Sequence, residues 1–324
     1  MQATSKPLLQ VKDLEKHFKL QGKKLFEKRT VKAVNKISFD IYPGETLGLV
    51  GESGCGKSTT GRTILQLLEP TNGEIIYNGN NLVGMKTKEF NSLRKELQMI
   101  FQDPFSSFDP KKRIGYSLEE AMKIHGVGTK MERKERALHL LKKVGFSEAH
   151  YDRYPHEFSG GQCQRIGIAR ALMTNPKFIV CDEAVSALDV SIQAQILNLL
   201  KELQQELGIS YLFIGHDLNV VKYISNRIAV MYMGEIIEMA PTEELFSNPK
   251  HPYTKMLLES IPIANPHIQR EKLTVTGDLP SPLNLPPGCP FVSRCPVAKS
   301  ECGVKPASIV EYENGHSVKC HLYQ

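Results

Sequence analysis

The chain has 324 residues, of which 41% are hydrophobic and 23% charged, with a formal net charge of +6. That balance belongs to a soluble globular protein of one large domain plus an appendage, and the small positive excess reads as a solvated surface. No window approaches the ~18 consecutive apolar residues of a membrane span, and Met1-Gln2-Ala3-Thr4-Ser5-Lys6 lacks the layout of a signal peptide, so a cytoplasmic location is expected.

Leu8 to Val11 and Val34 to Ile41 are predicted strands, separated by a basic loop from Gln21 to Arg29 that carries no assigned site. Phe18 is either a packed aromatic or a ring that stacks on a base. The apolar run Thr46 to Val50 predicts a buried strand. It leads into Gly51-Glu52-Ser53-Gly54-Cys55-Gly56-Lys57-Ser58-Thr59, which fits the phosphate-binding pattern G-x-x-x-x-G-K-[ST]. The glycines admit close backbone approach to phosphate, and the following helix adds its N-terminal N–H groups. Lys57 supplies a cation for the β- and γ-phosphates and Ser58 a hydroxyl for Mg²⁺. The helix is predicted over Lys57 to Leu68, with Ile64, Leu65, Leu67 and Leu68 as its apolar face.

Gly73 to Asn78 predicts a strand, and Leu97 to Pro104 another that ends near Gln102, where the amide can reach Mg²⁺ or attacking water. Residues 105–175 read as mainly helical, including a helix over Glu132 to Val144. Ser159-Gly160-Gly161-Gln162 opens a helix, giving a second anion-ready N-terminus, which one nucleotide held between two chains would explain. Lys177 to Glu183 is a buried strand with Asp182 and Glu183 at its end, suited to Mg²⁺–water contact and to polarising water. Ser186-Ala187-Leu188-Asp189 precedes a long amphipathic helix ending before Gly208. Ser210 to Asp217 reads as a strand with His216 at its end, a candidate contact to the γ-phosphate. Ile228 to Met233 and Glu235 to Met239, split by Gly234, read as a hairpin.

Taken in order from about residue 8 to residue 260, these segments resemble the ATP-binding subunits of ABC transporters. The resemblance makes Gln102 the Q-loop, Phe158 to Gln162 the signature, Asp182 and Glu183 the end of Walker B, Ser186 to Asp189 the D-loop and His216 the H-loop. It also puts Phe18 at the adenine-stacking position. Gly51 to Ser58, Phe101-Gln102-Asp103-Pro104, Cys181-Asp182-Glu183 and His251-Pro252-Tyr253-Thr254 are similar to the dipeptide/oligopeptide importer branch, and within it to the F-type subunit. Phe158, Cys163 and Ala184 stand where the wider family prefers Leu, Arg or Gln, and Pro; none of these removes a catalytic group, although Cys163 raises the prospect of oxidation sensitivity.

The resemblance implies an α/β P-loop NTPase core of ABC type with antiparallel β and helical subdomains, over residues 1–260, the helical subdomain at about 105–175. A small cysteine-rich extension would occupy 261–324. It implies ATP and Mg²⁺ as ligands, and a head-to-tail dimer with a second, D-type ATPase subunit. Asp189 and the signature would face the partner's nucleotide. Two membrane permeases and an extracytoplasmic peptide-binding protein would complete the assembly, with no nucleic acid. Rival readings are an importer for another cargo such as nickel, or a soluble ABC ATPase that switches nucleic acid or ribosomes.

From about residue 261 the chain becomes proline-rich, and Cys289, Cys295, Cys302 and Cys320 follow with spacing C-x5-C-x6-C-x17-C. Disulfides are disfavoured in a reducing compartment, so metal binding leads. Tight zinc pairs are absent, and the importer resemblance implies a [4Fe-4S] cluster that would staple a tail with little core of its own. Zinc is the second reading, four unliganded structural thiols the third, and His321 an alternative ligand.

Overall fold

The computed structural model describes residues 6–21, 28–261, 280–283 and 285–324. Strands β1 (Leu9–Gln21), β2 (Lys28–Ile41) and β3 (Thr46–Val50) come first, and helix α1 (Lys57–Ile64) follows the glycine-rich turn. Next are β4 (Asn72–Tyr77), β5 (Asn80–Asn81), α2 (Thr87–Leu93) and β6 (Leu97–Ile100). Helices α3 (Ile114–Ile124), α4 (Lys130–Lys143) and α5 (Gly160–Leu172) fill the stretch before β7 (Phe178–Asp182). Then come α6 (Val190–Leu207), β8 (Ser210–Ile214), α7 (Leu218–Ile224), β9 (Arg227–Tyr232) and β10 (Glu235–Pro241). Helices α8 (Thr242–Ser247) and α9 (Pro252–Glu259) and strands β11 (Ile309–Glu311) and β12 (Ser317–Lys319) complete the order. Most of the basic loop between β1 and β2 lies outside the described residues.

The chain divides into two compact units, the first comprising Ile41–Glu45 with Gly84–Ile214, the second Pro7–Asp40, Thr46–Val83 and Gly215–Gln324. In the first, β7 pairs in parallel with β6 and with β8. Both β7 and β8 are buried along their whole length, as parallel strands covered on both faces must be, and this is why they read as unbroken apolar runs. Helices α3, α4 and α5 pack against one another. α4 begins at Lys130, two residues before its predicted start, because Thr129 accepts the Glu132 N–H while the Glu132 carboxylate accepts the Thr129 N–H. Its Arg136 then reaches across to donate to the Leu172 and Met173 carbonyls at the end of α5, each at 2.9 Å. α6 stops at Gly208, whose φ of 64° supplies the left-handed C-cap.

In the second unit β3 and β9 are parallel, and β9–β10, β10–β12 and β12–β11 are antiparallel, so the last strands of the chain extend the sheet that carries the glycine-rich turn. A separate four-stranded sheet runs β2-β1-β4-β5. α1 is shorter than predicted. Leu65 caps it, Gln66 takes a φ of 53°, and the Leu67 and Leu68 N–H groups both turn back to the Arg62 carbonyl. Leu67 is left exposed rather than on a buried face.

The four-cysteine metal site is not borne out. Cys289, Cys295, Cys302 and Cys320 are free thiols, and among the described residues no group of three or more His, Cys, Asp or Glu side chains is arranged to hold a metal ion. Burial pushes Cys289 up to about 11 and raises Cys295 and Cys320. A protonated, shielded thiol behaves as a small hydrophobe rather than a ligand. Neither an iron–sulfur cluster nor zinc is supported, and His321, whose Nε2 bonds the Lys305 carbonyl at 3.0 Å, is no substitute ligand. What the sequence reading assigned to a metal staple is done by strand pairing of β12 on β10 and by Phe291, which is fully buried against Tyr232 and Tyr253.

Candidate active site

In the second unit, the buried strand β3 delivers the chain into the turn Gly51–Gly56, and α1 leads it away. Gly56 has a φ of 110°, and a Cβ there would overlap the Ala33 carbonyl oxygen, so no other residue fits. Ser53 and Gly54 lie exposed at the crest of the turn, while Cys55 is buried beneath it. Lys57 is buried, and its Nζ donates to the Gly51 carbonyl at 2.8 Å and the Glu52 carbonyl at 3.0 Å. The ammonium is thus held along the inside of the turn. Ser58 and Thr59 occupy the first turn of α1, which contains no acidic residue, so the positive end of the helix is left to favour an anion. Burial raises the Cys55 thiol against the pull of Lys57. Phe18 on β1 is 36% exposed, with the Lys16 ammonium 5.2 Å from its ring centroid. His216 is exposed just ahead of α7, where Asp217 caps the helix by accepting the Asn219 N–H at 2.8 Å.

In the first unit, the parallel run of β6, β7 and β8 sends the residues that follow β6 and end β7 to one sheet edge, where open α/β sheets bind ligands. Asp182 is 1% exposed there. Glu183 sits at a φ of 48°, an uncommon conformation for a residue with a Cβ, fixed by its N–H to the Ile214 carbonyl and by Ser186, which bonds the Glu183 carbonyl through both N–H and hydroxyl. Gln102 Nε2 donates to Glu183 Oε2 at 2.9 Å. A carboxylate, a second carboxylate and an amide are therefore grouped at one edge, a hard-oxygen set suited to Mg²⁺ and to holding a water for attack. Ser58 offers the same kind of donor from its own unit.

At the opening of α5, Ser159 accepts the Gln162 N–H through its hydroxyl and donates its N–H to Gln162 Oε1 at 3.0 Å, a reciprocal cap. Ser159 and Gln162 are exposed, so this helix end faces solvent. Gly161 is needed for packing: a Cβ would lie 2.6 Å from Ile192 Cγ2 of α6. Cys163 is fully buried, donates to the Pro155 carbonyl and is pushed up to about 11 by burial, which removes the expected oxidation sensitivity. Asp189 is exposed at the start of α6.

Sequence reading missed two groups at the glycine-rich turn. The Tyr253 hydroxyl accepts the Glu52 N–H at 2.9 Å, and Arg294 grips the Glu52 carboxylate with both terminal nitrogens. Their separations in sequence, 201 and 242 residues, leave no local pattern to find; the only signal was an acid in the middle of a phosphate loop, which asks for a cation.

The fold and these groups are those of an ABC-type ATPase. A family described as "ABC transporter" matches residues 34–186, and one described as "Oligopeptide/dipeptide transporter, C-terminal region" matches residues 237–302. The dimeric ATP-binding cassette MJ0796, solved in a post-hydrolysis state with ADP and Pi, superposes with a TM-score of 0.64 at 29% identity over 72% of this chain and 98% of that one. The oligopeptide transport ATP-binding protein AppF of Bacillus subtilis (strain 168) is 48% identical over 99% of both chains. OppF of Escherichia coli (strain K12), described in the same words, is 49% identical over 97% of this chain and 96% of its own. The chain belongs to the ATP-binding subunits of the oligopeptide/dipeptide ABC importers, and it binds and hydrolyses ATP. Among the described residues no helix is long and apolar enough to cross a membrane.

Proposed function

We propose that this chain powers peptide import by closing head to tail on a second ATPase subunit, each ATP being held between the turn at 51–59 of one subunit and the Ser159–Gln162 helix end of the other. The observation that carries the reading is the Gln102–Glu183 hydrogen bond beside buried Asp182. In this reading Phe18 stacks on adenine. The N–H groups of Gly51, Glu52, Ser53, Gly54, Cys55, Gly56, Lys57, Ser58 and Thr59 cradle the phosphates. Ser58, Gln102 and Asp182 would hold Mg²⁺, which would neutralise charge on the transferring phosphoryl group. Glu183 accepts a proton from the attacking water and Gln102 keeps that carboxylate aimed. His216 contacts the γ-phosphate, and Lys57 offsets charge developing in the transition state. From the partner, Ser159, Gly160, Gly161 and Gln162 supply the second anion site, and Asp189 faces the subunit junction.

The dimeric, ADP- and Pi-bound MJ0796 supports dimerisation by analogy. The partner would be a D-type subunit, with two permeases on the membrane and a peptide-binding protein beyond them, which would place the chain peripherally on the cytoplasmic face of the cell membrane. Phe101, Phe105 and Tyr116, exposed apolar residues around the segment after Gln102, suit contact with a permease and would carry the motion of Gln102 to it. Residues 1–260 would form the nucleotide-binding domain and 261–324 a cysteine-bearing extension. The match of 237–302 to an importer C-terminal region weighs against a soluble switch on nucleic acid or ribosomes.

The test is Glu183→Gln. It should retain ATP binding while turnover falls on the order of 10²–10⁴-fold, the usual worth of a positioned general base. Turnover at the parental rate would remove Glu183 from that role. In the reassembled transporter, stimulation of the parental ATPase by peptide-loaded binding protein over empty binding protein would support peptide as the cargo.

A further inference from the structure

Glu52 is an acid placed in the turn that must accept a polyphosphate. A carboxylate there repels the ligand unless a cation neutralises it. Lys57 is committed to the carbonyls of Gly51 and Glu52. The Glu52 carboxylate is met instead by Arg294, from the C-terminal segment of the same unit. Nη1 donates to Oε2 at 2.8 Å and Nη2 to Oε1 at 3.0 Å, the two-pronged geometry in which a guanidinium is strongest and most directional. The pair is shielded, the side chains being 10% and 25% exposed, so solvent screens it only in part.

Arg294 is held in turn. Its N–H bonds the Phe291 carbonyl at 3.0 Å, three residues back on a tight turn whose start is anchored by the Cys289 N–H to the Cys302 carbonyl. Phe291 is fully buried, its ring edge-on to Tyr232 and Tyr253 with centroids 5.4 Å from each. Tyr253 is the residue whose hydroxyl accepts the Glu52 N–H. The C-terminal segment therefore grips Glu52 by its side chain through Arg294, while the aromatic box it plugs grips the same residue by its backbone.

We propose that Arg294 is a positioning residue for ATP binding: by neutralising Glu52 and fixing the turn, it lets the C-terminal segment set the nucleotide affinity of the phosphate loop. This rests on the turn at 51–59 being the ATP-binding loop. Removing the guanidinium would leave a shielded, unpaired carboxylate within the turn that receives the polyphosphate and free the turn to drift. The loss would fall on nucleotide binding and not on the proton transfer at Glu183.

The test uses the full-length chain with a fluorescent ATP analogue for equilibrium binding and MgATP for turnover. Arg294→Met should weaken binding about tenfold and raise KM in step, with kcat within about twofold of the parent. Arg294→Lys, which keeps the charge and loses the fork, should fall between the two. On a Glu52→Gln background, where no charge is left to neutralise, adding Arg294→Met should cost less than about twofold. Unchanged affinity in Arg294→Met overturns the proposal. So does an equal loss on the Glu52→Gln background, which would make Arg294 a packing residue of the aromatic box only. Should Arg294→Met fail to fold, as judged by its thermal melt, Arg294→Lys with and without Glu52→Gln decides on the same terms. Lys57→Ala separates the two readings: if it binds the analogue as the parent does, the loop assignment fails, whatever Arg294 does.

Discussion

His251 shows how one buried side chain makes stability depend on pH. It is the N-cap of α9, its Nδ1 accepting the Tyr253 N–H at 3.1 Å, and its own N–H donates to Glu238 Oε2 at 2.9 Å. Burial lowers its pKa to about 4, against the opposing pull of Glu238, which is also bonded to His316 Nε2 at 2.7 Å. An unfolded histidine titrates near 6.5, so between about pH 6.5 and 4 the unfolded chain binds a proton that the folded chain refuses. Stability from this group is fully present above about 6.5 and is lost as pH falls toward 4, to the extent of about 3 kcal/mol. His251→Asn keeps a capping acceptor without the titration. The drop in melting temperature between pH 7.5 and pH 5 should shrink by several degrees in the variant; equal drops in both proteins would show that His251 does not carry the dependence.

At the scale of elements, an aromatic plug and a strand are among the ties that hold the C-terminal segment, beside the Arg294–Glu52 pair, and the plug is the more informative. Phe291→Ala removes a fully buried ring from between Tyr232 and Tyr253, for an expected cost of about 3–5 kcal/mol in a denaturant titration. A loss under about 1 kcal/mol would mean the segment repacks without it. The same element marks the limit of what the sequence disclosed. The turn at 51–59, β7 with Asp182 and Glu183, the opening of α5 and the stop of α6 at Gly208 were all legible, because each is encoded by neighbours within a few residues. α1 was read too long because Leu67 and Leu68 continue its apolar spacing, while Gln66 in a left-handed conformation breaks it. The pairing of Arg294 with Glu52 had no local pattern beyond an acid in the phosphate loop, since its partner lies 242 residues away. The four cysteines misled for the opposite reason: their crowding in sequence is real, but burial keeps Cys289, Cys295 and Cys320 protonated, and the segment finds its staples in Phe291 and β12.

For the whole molecule the question is what completes the proposed site, in which the solvent-facing end of α5 and the glycine-rich turn would each receive phosphate. Ser159 offers a way to ask it without damaging the fold. It caps α5 through its hydroxyl, and Asp is as good an N-cap as Ser, so Ser159→Asp should leave the helix and the melting temperature within about 2 °C of the parent. The same change places a negative charge where the proposed partner's γ-phosphate must dock, and two like charges in a desolvated junction repel strongly. On a Glu183→Gln background with MgATP, sedimentation should show the parental chain, with its second ATPase subunit, shifting to a closed dimer. Ser159→Asp in this chain should block that shift while ATP is still bound at its own glycine-rich turn. In the hydrolysis-competent protein it should lower turnover at least about 100-fold. If Ser159→Asp dimerises and turns over like its parent, the end of α5 is not half of an ATP site, and the nucleotide must be completed from within one chain.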